Sequence, residues 1–148
     1  MALAAGCDPG PVYDGAGTNL LGTRIPSVGQ WSAAGTVSNP AQAIDGNIHT
    51  AATAANHDAN SHLTIDLGKI CGFNMVVIDH GREEHGFALR VEVKVSQDGR
   101  GFTTVYRGTG TRRVSTFLLD RYRLARFVRI EAAAPGAKPW SIAELHFQ

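Results

Sequence analysis

The stretch from Pro40 to Thr50, PAQAIDGNIHT, gathers a carboxylate, a glycine, an amide, a histidine and a hydroxyl into a segment too polar for a core. Asp45-Gly46-Asn47 signals a tight turn, because glycine supplies backbone freedom while aspartate and asparagine side chains bond to nearby backbone groups. Ala43 and Ile44 give that turn an apolar anchor on its N-terminal side. A turn with outward carbonyls, one carboxylate and one hydroxyl suits a hard cation, and Ca2+ takes about six to eight oxygen ligands. The turn alone cannot complete that shell. Glu144, inside the apolar run SIAELHF, is the candidate second carboxylate. Its neighbours Ile142, Ala143, Leu145 and Phe147 read as strand residues, so it would stand on a rigid element. The competing reading is that D-G-N merely reverses the chain and that Glu144 is an ordinary edge-strand glutamate. A short motif decides nothing until its context agrees.

The elements that must bring these groups together belong to a chain of 148 residues, the size of one domain with a real core. Hydrophobic residues make up 43%, charged residues 18%, and the formal net charge is +1. Near-balanced charge argues against a dedicated polyanion binder such as a nucleic-acid protein. No apolar run reaches transmembrane length, and the start MALAAGCDPGP lacks the basic end and apolar stretch of a signal peptide. Cys7 and Cys71 are the only cysteines; they leave open one disulfide or two free thiols, and no C-x-x-C pattern offers a structural zinc site.

Residues 1–18 are small, Gly- and Pro-rich, and read as a linker or loosely packed lead-in; 19–148 read as one domain. Leu20 to Gln30 suggests an early strand. Ala51 to His62 reads as a polar connection. Leu63-Thr64-Ile65-Asp66-Leu67 alternates with the period of a half-buried strand, ended by Gly68-Lys69. Phe73 to Ile78 is a second strand, followed by the charged loop DHGREEHGF at 79–87. Leu89 to Val95 alternates four apolar with three charged residues and pairs through a turn at 97–100 with Phe102 to Tyr106. Val114 to Leu119, Arg126 to Glu131 and Ser141 to Phe147 complete the series, with only a weak helical face at Asp120 to Leu124. Short strands separated by regular turns predict an all-β antiparallel sandwich.

Five pieces carry a family resemblance: AIDGNIHT at 43–50, LTIDLGK at 63–69, VEVKVSQDG at 91–99 with Phe102 behind it, ARFVRIEA at 125–132 and SIAELHF at 141–147. Their order and spacing, over roughly Asn19 to Phe147, resemble a discoidin (coagulation-factor C-type) domain, and within that group the bacterial family 32 carbohydrate-binding modules. The resemblance implies a galactose-binding-domain-like, eight-stranded antiparallel jelly roll with a structural Ca2+ beside the D-G-N turn. It implies as ligands the Ala43 carbonyl, the Asp45 carboxylate, a carbonyl at Asn47, the Thr50 hydroxyl and carbonyl, and the Glu144 carboxylate with the Ala143 carbonyl assisting. It further implies a non-catalytic role in holding terminal glycan sugars, of galactose type, as an extracellular module of a larger protein whose catalytic domain it serves. Other members of the wider group bind phospholipid headgroups or proteins, and a fold does not transfer a ligand.

A sugar offers hydroxyls and an apolar ring face, so its site needs planar polar groups and an aromatic wall. The 79–87 loop has such groups. Arg82 lies where similar modules carry a ligand-binding arginine, with His80, Glu83 and His85 as neighbours, although the asparagine that follows in many relatives is missing. Trp31 is the expected aromatic wall and Trp140 a core residue. The plainer reading pairs Arg82 with Glu83 or Glu84 on a solvated loop. His49, His57 and His62 lack the spacing of a transition-metal site. No G-x-S-x-G elbow is present, and Asp79, Glu83 and Glu84 show no cleft for glycoside hydrolysis, so catalysis is not expected. The rival to a glycan is a protein-interaction or adhesion role. Phospholipid binding ranks lower, and membrane insertion is not expected, for want of a basic-apolar loop tip.

Overall fold

A computed structural model describes residues 30–54 and 60–148. The 1–18 lead-in, Cys7, the early strand up to its last residue Gln30, and His57 lie outside the described residues. The elements are β1 (Ser32–Gly35), a 3-10 turn (Pro40–Ala43), β2 (Ala52–Thr53), β3 (Ser61–Asp79), β4 (Arg90–Ser96), β5 (Thr103–Gly108), β6 (Val114–Ala134), β7 (Ser141–Ile142) and β8 (Glu144–Phe147). This is the expected all-β, eight-stranded antiparallel sandwich, consistent with a jelly roll.

Two long bent strands make the architecture. The first half of β3 pairs with β1 and with the second half of β6, which in turn pairs with β4, and β4 with β5. The second half of β3 pairs with the first half of β6 on one side and with β8 on the other. The two expected strands at 63–67 and 73–78 are therefore one. Gly68 bends the chain at φ +81° instead of ending the strand, and register shifts follow between Asp66 and Cys71 and between Phe73 and Met75. The segments at 114–119 and 126–131 merge likewise. The stretch expected to show a helical face is a bulge between the Phe73–Arg123 and Met75–Leu118 pairings. The closing run divides at Ala143: β7 pairs with β2, and β8 with β3.

Strand alternation builds the core. Leu63, Ile65 and Leu67, then Phe73, Val76 and Ile78, are fully buried along β3, and they meet Val91, Val93, Phe117, Val128, Ile130, Ile142 and Leu145. Leu89, expected as the first inward residue of its strand, is instead 54% exposed because β4 begins one residue later. The outward residues form a polar face on the first sheet, where Lys94 binds Glu131 at 3.0 Å and Arg129 donates to Thr64. Cys71 is buried and disulfide-bonded.

Candidate functional site

The Asp45 turn is set by what precedes it. Pro40–Ala43 winds one 3-10 turn, and Ala43 and Ile44 are buried, which leaves Asp45, Gly46 and Asn47 exposed at the sandwich end. Gly46 takes φ +74°, the left-handed region that glycine enters without steric cost. Asp45 Oδ1 accepts from the Asn47 amide at 2.9 Å, and Thr50 Oγ1 donates to Asp45 Oδ2 while lying 3.1 Å from the Asn47 carbonyl. The Asn47 carbonyl also accepts from the Thr50 amide. These donors, the Thr50 hydroxyl first, hold the Asp45 carboxyl below its ordinary value.

Glu144 opens β8 opposite Asp79 and is only 7% exposed. Its side chain comes near Asp45, so two carboxyl groups placed 99 positions apart in sequence lie close enough to influence each other's charge. Burial, and then the Asp45 carboxyl, push Glu144 up to about 7. Its Oε1 is buried without a hydrogen-bond partner. A buried, partnerless carboxylate oxygen facing a second carboxylate is what a cation would neutralise. Among the described residues no group of three or more His, Cys, Asp and Glu forms, so carbonyl and hydroxyl oxygens would have to complete the shell. That donor set fits a hard, oxygen-seeking ion and not a soft one. Ala43, Asp45, Asn47, Thr50, Ala143 and Glu144 thus fall around one end of the fold, with Ala143 buried and its amide bonded to the Asp79 carbonyl at 2.8 Å.

The 79–87 loop adjoins this turn directly. Gly81 sits at φ +64°, and a Cβ there would lie 2.7 Å from the Ala143 Cβ and 2.8 Å from the Ile48 carbonyl oxygen. The loop is tied down to two neighbouring segments. The His80 amide donates to the Arg113 carbonyl, the Arg113 amide to the Glu84 carbonyl, and the Ser141 amide to the Gly86 carbonyl. Glu84 binds Arg113 Nε at 2.8 Å and also Arg112, with His85 3.7 Å away. The arginines, and Arg113 first, hold the Glu84 carboxyl below its ordinary value.

The expected ligand residues separate on this frame. Arg82 and Glu83 are exposed at the loop tip, and His85 is exposed beside Glu84. The plainer pairing of Arg82 with Glu84 is not made: Glu84 is engaged by Arg112 and Arg113, and Arg82 forms no ion pair among the described residues. His80 does not face the ligand side. It is 1% exposed, Nδ1 lies 2.7 Å from the Ser141 carbonyl and Nε2 2.8 Å from Ser115 Oγ, so it fastens the loop from below. Trp31 is not the wall of this site either. It packs edge-on to Phe147 at 5.4 Å, at the far end of β8 from Glu144. Trp140 is buried, as expected. Sequence reasoning weighed His49 only as a metal ligand and passed over Ile48, both exposed on the turn that touches Gly81, and Phe87, the half-buried aromatic of the loop itself. The signal for Ile48 and His49 was their place inside the turn; for Phe87 it was its closeness to Arg82.

The model of the F5/8 type C domain family matches residues 25–145. Among solved structures, the family 32 module of NanJ from Clostridium perfringens, in complex with galactose, is 28% identical with a TM-score of 0.72, covering 82% of this chain and 95% of that one. CpGH89CBM32-5 from the same organism, in complex with GalNAc-β-1,3-galactose, is 21% identical with a TM-score of 0.74, covering 82% and 96%. The family 32 module of AlyQ, in complex with 4,5-unsaturated mannuronic acid, is 22% identical with a TM-score of 0.67, covering 79% and 93%. No curated protein matches the chain.

Proposed function

The chain belongs to the F5/8 type C domain family, and on that premise we propose that it is a non-catalytic, calcium-stabilised carbohydrate-binding module that grips terminal sugars with the loop around Arg82. The observation that carries this reading is the exposed Arg82 guanidinium, left without an ion pair on a loop whose backbone is bonded to two neighbouring segments, at Arg113 and at Ser141 to Ala143. A planar donor on a loop that also carries the half-buried aromatic Phe87 offers the two things a sugar needs, donors for its hydroxyls and an apolar face. In this reading Glu83 and His85 contact the sugar beside Arg82, and Phe87 takes the place expected of Trp31. The module similar to it at 28% identity was solved with galactose, which favours a galactose-type ligand here.

Calcium would be held by the Asp45 and Glu144 carboxylates, the Thr50 hydroxyl and carbonyls at Ala43, Asn47, Thr50 and Ala143. Bound there, it neutralises the facing carboxylates and ties the early turn to β8. The domain's work is tethering. As part of a larger extracellular protein it would raise the effective concentration of glycan at a catalytic neighbour. The disulfide at Cys71 fits an oxidising compartment.

The test is a glycan array, followed by titration calorimetry on the best glycan, with the wild-type domain and an Arg82→Ala variant of equal thermal stability. The expected result is binding to galactose-terminated glycans that weakens roughly tenfold or more in the variant, the scale of a lost charge-assisted hydrogen bond. Absence of binding to every glycan by the wild type, or equal binding by the variant, overturns the reading.

A further inference from the structure

The end of the sandwich remote from Arg82 holds an open cleft of about 600 Å³ that the reading above does not use. It lies where β4 turns into β5 and where the β6 bulge crosses above them. Its volume is in the range of small-ligand sites, roughly 300–1,000 Å³. Val95 and Val105, half-buried, give it an apolar lining, and Gln97 and Thr103 add an amide and a hydroxyl. Tyr122 forms a wall. Its ring lies against β3 at a place where only glycine fits, since a Cβ on Gly72 would come within 2.1 Å of Tyr122 Cε2.

Two guanidiniums complete the cleft. Arg123 is 19% exposed; its Nη2 donates to Asp120 at 2.8 Å, while its Nε is buried with no hydrogen-bond partner. Arg121 is exposed and its side chain has no hydrogen bond or ion pair among the described residues, with Asp120 the acidic group near enough to feel its charge. The other nearby carboxylate, Asp98, is turned to its own loop, accepting from Ser96 Oγ and from the amides of Arg100 and Gly101. An amide, a hydroxyl, an aromatic wall and an apolar lining match a sugar ring, and a guanidinium with unused donors matches a carboxylate on it.

We propose that this cleft is a second binding site, for a saccharide unit carrying a carboxylate, with Arg121 as its anion-binding group. The site is independent of the Arg82 loop, at the other end of β4. A module with both sites would hold two points of one acidic glycan, or two chains.

The test uses trigalacturonate as probe and galactotriose as its neutral control, followed by amide chemical shifts in the Arg82→Ala background, so that failure of the first site cannot mask the second. Trigalacturonate is expected to move the amides of 96–103 and 121–124 saturably at millimolar concentration. The neutral trimer should bind more weakly, and Arg121→Ala should weaken the acidic probe roughly tenfold with an unchanged spectrum elsewhere. Shifts confined to the Arg82 loop, equal binding of the neutral trimer, or no saturable shift in 121–124 would overturn the proposal.

Discussion

Glu144 is a carboxylate that folding places where its charge is poorly solvated and beside another carboxyl group, and its titration therefore reports the state of the whole turn. Its value rises from 4.5 to about 7, chiefly through burial. The sign follows from linkage: a raised folded-state value means that the folded protein binds the proton more tightly. In chelator, the stability that Glu144 contributes is full below 4.5 and is lost as pH rises to about 7. Asp45, held low by Thr50 and Asn47, adds a dependence of opposite sense only below 3.8. The melting temperature in chelator should thus fall between pH 4.5 and about 7 more steeply for the wild type than for Glu144→Gln. Calcium should stabilise the wild type near neutral pH by about 2.7 kcal/mol at a hundredfold excess over its dissociation constant, raising its midpoint, and should leave Glu144→Gln nearly unmoved. Equal pH profiles for the two proteins, or a calcium response that survives the substitution, would remove the ion from this site. The approach of these two carboxyls was legible in the residue types. The fate of His80 was not read, although its signal was present: Val76, Ile78 and His80 share one face of an alternating strand, and the charged neighbours of His80 hid the fact that it continues the inward row.

At the scale of elements, the two loops that make the candidate site are spaced by a glycine. Gly46 and Gly81 both hold positive φ, +74° and +64°, so alanine at either is strained by roughly 1 kcal/mol or more. They differ in surroundings. A Cβ at Gly46 meets nothing within 4 Å, whereas one at Gly81 meets backbone of the Asp45 turn and the side chain of Ala143. Gly81→Ala should therefore lower the melting temperature more than Gly46→Ala, and it alone should displace Arg82 enough to weaken glycan binding. If Gly46→Ala proved the more damaging to both, the two loops would not rest on each other as described. Strand existence was readable from alternation, but continuity was not. Gly68 and the polar stretch at 120–123 look like terminators in sequence, yet Gly68 only bends β3, and the bulged stretch stays in β6 because pairing resumes on both sides of it. Likewise β1 and β2, built of alanine, glycine, serine and threonine, carry no apolar alternation and owe their strand form to their partners β3 and β7.

For the whole molecule, the sharing of β3 and β6 between the two layers has a thermodynamic consequence. Neither layer can separate without breaking the β3–β6 ladder, which runs from Ser61–Ala132 at one end to Asp79–Val114 at the other. The core side chains of both layers belong to one cluster, so loss of either face exposes the other. A domain of this size with no separable half should unfold in one cooperative step. The chain supplies its own probes, since its two tryptophans sit at different ends: Trp31 against Phe147, and Trp140 buried where the chain enters β7, its carbonyl accepting from Ala54. In Trp31→Phe the fluorescence reports only Trp140, and in Trp140→Phe only Trp31. Within each variant, the fluorescence midpoint in urea should coincide with that of far-ultraviolet circular dichroism, and chelator should lower both together, because the proposed cation, clasping Asp45 to Glu144, would stabilise the entire sandwich and not one loop. A Trp31 signal that is lost before the sheet signal would mean that the β8 and Phe147 end opens on its own. The effect of calcium would then be local, and the turn at Asp45 would steady the Arg82 loop without securing the fold.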